Sequence, residues 1–152
     1  MGEAICNLSR KQNVRIVRLS NVTGKNFDTN IFLSSIIYDA ITNKEIILKT
    51  ELDSKRDYIL LEDVVKILPK ISMFGKSKIY NVAYGKNLKN REIVEKIKEI
   101  TGCTYKVEKN AKDYSYQPIS IQKIQNEFNF NPTSSILTKL NEIITAFQKN
   151  KI

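Results

Sequence analysis

The segment at residues 53–65, DSKRDYILLEDVV, most constrains the fold, because a charged turn, an apolar strand and a helix start follow one another without a break. Its four consecutive apolar residues, Tyr58 to Leu61, predict a buried strand. Glu62 and Asp63 follow at once and predict the first turn of a helix, where carboxylates favour the helix dipole and the free N–H groups. The turn, the strand and the start of the helix, with any site built on them, therefore lie together in one short stretch.

Arg56 is the candidate binding residue of this segment. A guanidinium has five donors in a fixed fork and can bind two phosphate oxygens at once. Asp57 is expected to orient that fork from the next position. A second stretch, residues 18–24, also places a polar residue, Asn21, after an apolar strand, and open α/β sheets bind ligands at the carboxyl ends of their strands. The alternatives are a surface ion pair for Arg56 and a plain turn role for Asn21.

The composition sets the class of protein. The chain has 152 residues, of which 41% are hydrophobic and 27% charged, so it forms one domain or one piece of a larger domain. It has no apolar run of membrane-spanning length and no signal-peptide start, which predicts a cytoplasmic protein without a membrane partner. Cys6 and Cys103 are isolated and predict ordinary thiols rather than a disulfide.

The absence of histidine excludes catalytic triads that need an imidazole base and most zinc sites, so we expect no metal. The formal charge of +9 is compatible with an anionic partner, either a nucleic acid or a phosphorylated small molecule. The 25 basic residues are spread along the whole chain, so charge alone does not decide between these partners.

The hydrophobic periodicity predicts an α/β order of elements. Asn30 is placed to cap the second helix, Pro69 to kink or end the third, and Gly102 to stop the fourth. The predicted helices lie at residues 2–12, 31–43, 62–68, 90–101, 120–128 and 135–149, and the predicted strands at residues 13–20, 45–49, 58–61, 78–83 and, as an edge strand, 104–108.

The sequence argues against two motifs, a cofactor-binding loop because of its glycine spacing and a catalytic pair because of its secondary structure. The five glycines never reach the spacing of a dinucleotide-binding loop, which predicts no cofactor site in this chain. Tyr105 and Lys109 have a Tyr-x-x-x-Lys spacing, but that acid/base pair needs adjacent helical turns. Because the segment alternates as a strand, we expect no catalytic residue there.

Four motifs together resemble the carboxyl-terminal half of the extended short-chain dehydrogenases/reductases. This is the family of NAD-dependent nucleotide-sugar epimerases and dehydratases that includes UDP-glucose 4-epimerase. The motifs are RLSNVTG at residues 18–24, RDYILLEDV at 56–64, YNVAYG at 80–85 and FNFNP at 128–132.

The resemblance implies roles for four residues. Asn21 matches a contact to the nucleotide sugar, Asn30 an asparagine near the diphosphate, and Arg56 the arginine that binds the diphosphate. Leu48 falls on the strand that, in the family, lies along the nucleobase of the nucleotide sugar. Asn30 has an alternative as a plain helix cap.

The resemblance also implies an incomplete enzyme. Residues 1–25 and 76–86 match the remainder of a Rossmann-type sheet, and residues 26–75 and 87–152 match the smaller α/β substrate-binding lobe. The catalytic Tyr-x-x-x-Lys, the glycine-rich loop and the NAD or NADP site of the parent family would lie upstream. We therefore expect a chain that binds a UDP-, dTDP- or GDP-linked sugar, self-associates and is inactive alone.

Two readings from other classes stay open. A basic binding module would attach to nucleic acid or a protein partner without catalysis, and its binding would fall steeply with salt. A remnant of a truncated gene would bind neither.

Overall fold

The computed structural model describes residues 2–8, 14–25 and 28–149. Helices and strands alternate along the chain, which confirms the predicted α/β class. The helices are α1 (Gly2–Leu8), α2 (Phe32–Thr42), α3 (Leu61–Phe74), α4 (Asn90–Thr101), α5 (Gln122–Phe128) and α6 (Ile136–Lys149). The strands are β1 (Ile16–Leu19), β2 (Asn21–Thr23), β3 (Glu45–Thr50), β4 (Lys55–Leu60), β5 (Ile79–Val82), β6 (Asn87–Lys89) and β7 (Thr104–Lys112).

The strands form three small sheets that are mostly parallel. Strand β1 pairs with β5, and β3 pairs with β7, in each case in parallel. Strand β4 lies between β2, which is parallel to it, and β6, which is antiparallel. The parallel pairs join segments far apart in sequence, so the sheets hold the whole described chain together.

Strand β4 lies between the two hydrophobic cores. Tyr58 and Leu60 belong to the core that contains α2, α4 and α6, whereas Ile59 belongs to the core that contains α3, β5 and α5. Successive side chains of a strand point to opposite faces. The uninterrupted apolar run of β4 is thus explained by burial on both faces.

Helix α4 has the predicted bounds. Ile93, Val94 and Ile97 are fully buried at helical spacing. Gly102 follows the helix with φ 69°, a left-handed conformation that favours glycine, and its N–H donates to the carbonyl of Lys98 at 2.8 Å.

The amino-terminal elements differ from the prediction. Within the predicted helix at residues 2–12, α1 covers Gly2–Leu8, and residues 9–13 lie outside the described part. The predicted strand at residues 13–20 is β1 alone, and after Ser20 a second strand, β2, begins at Asn21. Strands β2 and β6 have three residues each, which is too short for an alternating pattern to reveal.

At two helix ends the structure differs from what the sequence suggested. Pro69 does not end α3, which continues to Phe74; Pro69 is exposed, so the carbonyl that it leaves without a donor can bind water. Asn30 does not cap α2, whose N-cap is Ile31 without a side-chain hydrogen bond. The Asn30 backbone N and side-chain Nδ2 donate instead to Oδ1 of Asp28, both at 2.9 Å.

Strand β7 is longer than predicted and contains both Tyr105 and Lys109, which confirms that this pair is not on a helix. Its register against β3 shifts: Leu48 pairs with Val107, but Thr50 pairs with Lys112. Strand β7 therefore has three more residues than β3 over this interval, a β-bulge.

A bidentate pair of hydrogen bonds joins helix α1 to strand β1. Arg18 donates from Nε and Nη2 to the two carboxylate oxygens of Glu3, each at 2.7 Å. This hydrogen bond lowers the pKa of Glu3 below its usual value.

Within residues 2–8, 14–25 and 28–149, no helix has the length and apolar character needed to cross a membrane.

Candidate functional site

A polar cleft opens where β1 ends and β2 and β4 begin. Its cavity volume is about 550 Å³. It brings Asn21 and Arg56 together, as Asn21 follows the carboxyl end of β1 and Arg56 is the second residue of β4. The cleft is lined by Leu19, Ser20, Asn21, Arg56, Asp57, Asn87, Tyr114, Tyr116, Gln117 and Ile119.

The Arg56 guanidinium has no counter-charge among the described residues. No described carboxylate lies within ion-pair distance of it, and its Nε is buried without a hydrogen-bond partner. Its Cζ lies 5.1 Å from the ring centre of Phe32 and 5.5 Å from that of Tyr114. A half-buried cation without a carboxylate keeps its N–H donors for a ligand.

Asp57 does not orient Arg56, so that prediction is wrong. Its two carboxylate oxygens accept hydrogen bonds from the backbone N–H groups of Tyr84, at 2.9 Å, and Gly85, at 2.7 Å. Adjacent residues of a strand project to opposite faces, which separates the Asp57 carboxylate from the Arg56 guanidinium. Asp57 instead fixes the turn after β5, where Gly85 has φ 86°.

Asn21 is held by the same strand. Its Nδ2 donates to the backbone carbonyl of Asp57 at 2.7 Å, and its Cα pairs with that of Tyr58 across β2 and β4. Because one amide donor is used by the backbone, the carboxamide has a fixed orientation beside the cleft.

Several residues that line the cleft carry an unpartnered polar atom. Three of its lining residues have a buried side-chain atom without a hydrogen bond in the described structure: Ser20 Oγ, Arg56 Nε and Asn87 Oδ1. Buried polar groups are normally satisfied, so such a cluster indicates a place for a polar ligand. A second cavity of about 540 Å³, between α3 and α6, has mainly apolar lining and no such atom among its lining residues.

Asn87 and Tyr114 line the cleft but are not among the site residues predicted from the sequence. Asn87 lies on the short strand β6 and donates from Nδ2 to the carbonyl of Tyr116 at 2.5 Å. Its position two residues after the Gly85 turn is the only sequence signal for it. Tyr114, in a basic and aromatic stretch, lines the cleft, whereas the hydroxyl of Tyr105 donates to Glu95 at 2.6 Å.

Asn30 and Leu48 do not line the cleft. Leu48 is 1% exposed and belongs to the core around α2, α4 and α6. Asn30 is exposed and hydrogen-bonds to Asp28.

Tyr58 is a buried neighbour of the site, two positions after Arg56 on β4. Burial raises the pKa of its phenol to about 12, and the charge of Arg56 opposes this shift. Its hydroxyl has no hydrogen-bond partner among the described residues.

The comparison with protein families gives one match. A family model described as the NAD dependent epimerase/dehydratase family matches residues 1–83, more than half of the chain. No curated protein matches.

Solved structures resemble the chain in fold. A dTDP-glucose 4,6-dehydratase from Bacillus anthracis, solved in complex with NAD, is 23% identical with a TM-score of 0.76, over 91% of this chain and 45% of that one. RMD from Pseudomonas aeruginosa, complexed with NADPH, is 18% identical with a TM-score of 0.82, over 97% of this chain and 53% of that one. A UDP-glucose 4-epimerase from Thermotoga maritima, solved with UDP-glucose, is 20% identical with a TM-score of 0.76, over 91% and 47%. The chain thus spans about half the length of these structures and shares their Rossmann-like α/β fold.

We expect Asp57→Ala to lower the free energy of unfolding by about 3 to 6 kcal/mol, because the change removes two hydrogen bonds to a charged acceptor that contribute on the order of 1.5 to 3 kcal/mol each. Urea denaturation would measure the loss. The matched control is Asp53→Ala, since the exposed Asp53 pairs with Lys89 at the surface and its removal should have little effect. Equal stabilities of the two variants would contradict the role assigned to Asp57.

We expect Tyr58 to make the protein less stable at high pH. Its phenol has a pKa of about 12 in the folded state, against an ordinary value of 10.0. Between these values the unfolded chain loses a proton that the folded chain keeps, so the free energy of unfolding falls as pH rises, by about 3 kcal/mol at most. The difference in stability between the parent chain and Tyr58→Phe at pH 9 and pH 12 measures this, and a pH-independent difference would refute it.

Proposed function

Because the chain belongs to the NAD dependent epimerase/dehydratase family, we propose that its polar cleft binds the diphosphate of a nucleotide sugar. The observation that carries the proposal is Arg56, a guanidinium without a carboxylate partner in the described structure, set among unpartnered polar atoms. A phosphate oxygen pair matches the fork of an arginine in charge and in geometry. Solved structures of similar fold were obtained with UDP-glucose and, in another case, with NAD and TYD bound.

The other cleft residues fit the rest of such a ligand. Asn21 has a fixed carboxamide, while the Ser20 hydroxyl and the side-chain oxygen Oδ1 of Asn87 have no protein partner in the described structure. Sugar and ribose hydroxyls can donate to and accept from such groups. The proposal therefore rests on Asn21 and Arg56 together. It does not extend to a direct contact with Leu48, which is in the core.

The residues of this chain do not fit a nicotinamide dinucleotide of the usual kind. That site needs closely spaced glycines so that the backbone can approach the pyrophosphate. Here Gly24 and Gly85 stand far apart in sequence, and a Cβ at either would meet the side chain of Leu61 or Ile121 at 3.2 Å rather than an open cradle. The part of the reaction that we assign to this chain is to bind and orient the nucleotide sugar.

We also propose that the chain provides the substrate-binding portion of such an enzyme. Residues 1–25 and 76–86 would be the Rossmann-sheet elements, and the remainder would be the substrate-binding lobe. Self-association through α1 is part of the proposal, since Ile5 and Leu8 are exposed apolar residues on this helix.

Binding of UDP and dTDP, followed by isothermal titration calorimetry, tests the site. Arg56→Ala should weaken UDP binding by about 10- to 100-fold, because it removes a charge-assisted hydrogen bond to phosphate. Arg56→Lys should bind with intermediate affinity, since it keeps the charge and loses the fork. The matched control is Arg91→Ala, which removes the same charge outside the cleft and should bind as the parent chain does.

A different result would favour the basic binding module. If single-stranded nucleic acid bound with a steep salt dependence, and Arg56→Ala and Arg91→Ala weakened that binding equally, the charge of the whole surface would explain it.

The 152-residue chain should not interconvert nucleotide sugars by itself when NAD and UDP-glucose are supplied, because the residues that line the cleft include no tyrosine–lysine pair. Product analysis by liquid chromatography measures this. Accumulation of an epimer or a dehydrated sugar would contradict the assignment of a binding role alone.

A further inference from the structure

Two aromatic rings lie against the guanidinium of Arg56. Phe32 comes from the first turn of α2, and Tyr114 comes from the segment that follows β7. Both rings are within the roughly 6 Å at which a cation and an aromatic face attract each other. The family match ends at residue 83, so Tyr114 is not among the residues that it covers.

The position of Tyr114 is fixed by the chain itself. Its backbone N–H donates to Oγ of Ser54 at 3.0 Å, and that hydroxyl donates to the carboxylate of Asp113 at 3.1 Å. Two residues later, the N–H of Tyr116 donates to the carbonyl of Lys55 at 3.1 Å. Ser54 is fully buried. These bonds hold residues 113–116 beside the start of β4, where Arg56 lies.

The rings take the place of a carboxylate partner. An arginine side chain with several rotatable bonds loses much conformational freedom when it is ordered. A carboxylate would order it by accepting its N–H groups, and those groups would then be unavailable to a ligand. An aromatic face attracts the guanidinium without accepting them in its plane. An ordered arginine with free N–H groups is what binding of an oxyanion requires.

We propose that Tyr114, supported by Phe32, is a positioning residue that holds the Arg56 guanidinium ready for a diphosphate. The ligand part of this inference rests on the proposed function, whereas the ordering of Arg56 in the empty cleft does not. Tyr114 acts on phosphate through Arg56 and makes no contact with the nucleoside.

Nuclear magnetic resonance of the unliganded chain tests the ordering. The sequence has five arginines, so the Nε–H signals are few, and Arg56→Lys assigns the signal of Arg56. The {¹H}–¹⁵N heteronuclear effect at Arg56 Nε should be that of an ordered side chain in the parent chain and in Tyr114→Phe. It should fall to that of a mobile side chain in Tyr114→Leu. Unchanged order in Tyr114→Leu would overturn the proposal. Tyr114 is 40% exposed, and the backbone spectrum of each variant checks that it is folded.

Calorimetric binding of UDP and of uridine tests whether Tyr114 affects ligand binding through Arg56. Tyr114→Leu should weaken UDP binding by about threefold, Tyr114→Phe should restore it, and uridine binding should not change. In an Arg56→Ala background, Tyr114→Leu should have no further effect. If Tyr114→Leu instead weakens uridine binding, or weakens UDP binding in that background, Tyr114 contacts the ligand directly and the proposal is wrong. If the parent chain binds no UDP, the proposed function fails, and the resonance experiment alone decides the ordering of Arg56.

Discussion

The carboxylate of Asp57 holds the candidate site together. It accepts hydrogen bonds from the two N–H groups of the turn after β5. The backbone carbonyl of Asp57 accepts a third hydrogen bond, from the side-chain amide of Asn21. One residue of β4 thereby connects β2, β4 and the segment that leads to β6. The cleft residues Ser20, Asn21, Arg56 and Asn87 lie at the edges of these elements, so the shape of the cleft depends on both the carboxylate and the backbone carbonyl of Asp57.

The burial of β4 explains why this arrangement can be rigid. Its side chains alternate between two hydrophobic cores, and no register shift can occur without moving apolar residues from one core to the other. Arg56 directly precedes the buried residues of β4, the first of which is Asp57, and shares their fixed register. A binding residue on a strand end of this kind is held more accurately than one on a free loop.

The sequence was sufficient for elements with a strong local pattern. Helix α4 has its periodic apolar face and a glycine in the left-handed conformation, and its bounds follow from these two features. Strands β2 and β6 were missed because three residues carry no period. Arg56 and Asn21 could be singled out as polar residues beside apolar strands. The partners of Asp57 could not, because the turn that it binds is brought close only by the pairing of β1 with β5 and of β4 with β6. Tyr114 was obscure for the same reason, since it reaches Arg56 across 58 positions of sequence.

The bulge in β7 lies close in sequence to Tyr114, but an anchored residue, Lys112, separates the two. Lys112 is anchored on the far side of the bulge: its backbone pairs with Thr50, and its carbonyl accepts the N–H of Glu51 at 3.1 Å. Between these two pairs, residues 108–111 of β7 stand against the single residue Lys49 of β3, and most of them are exposed. A spectroscopic label or a short peptide tag grafted into this interval would be mechanically isolated from Tyr114 by that anchor, so the bulge is a natural place to attach a reporter.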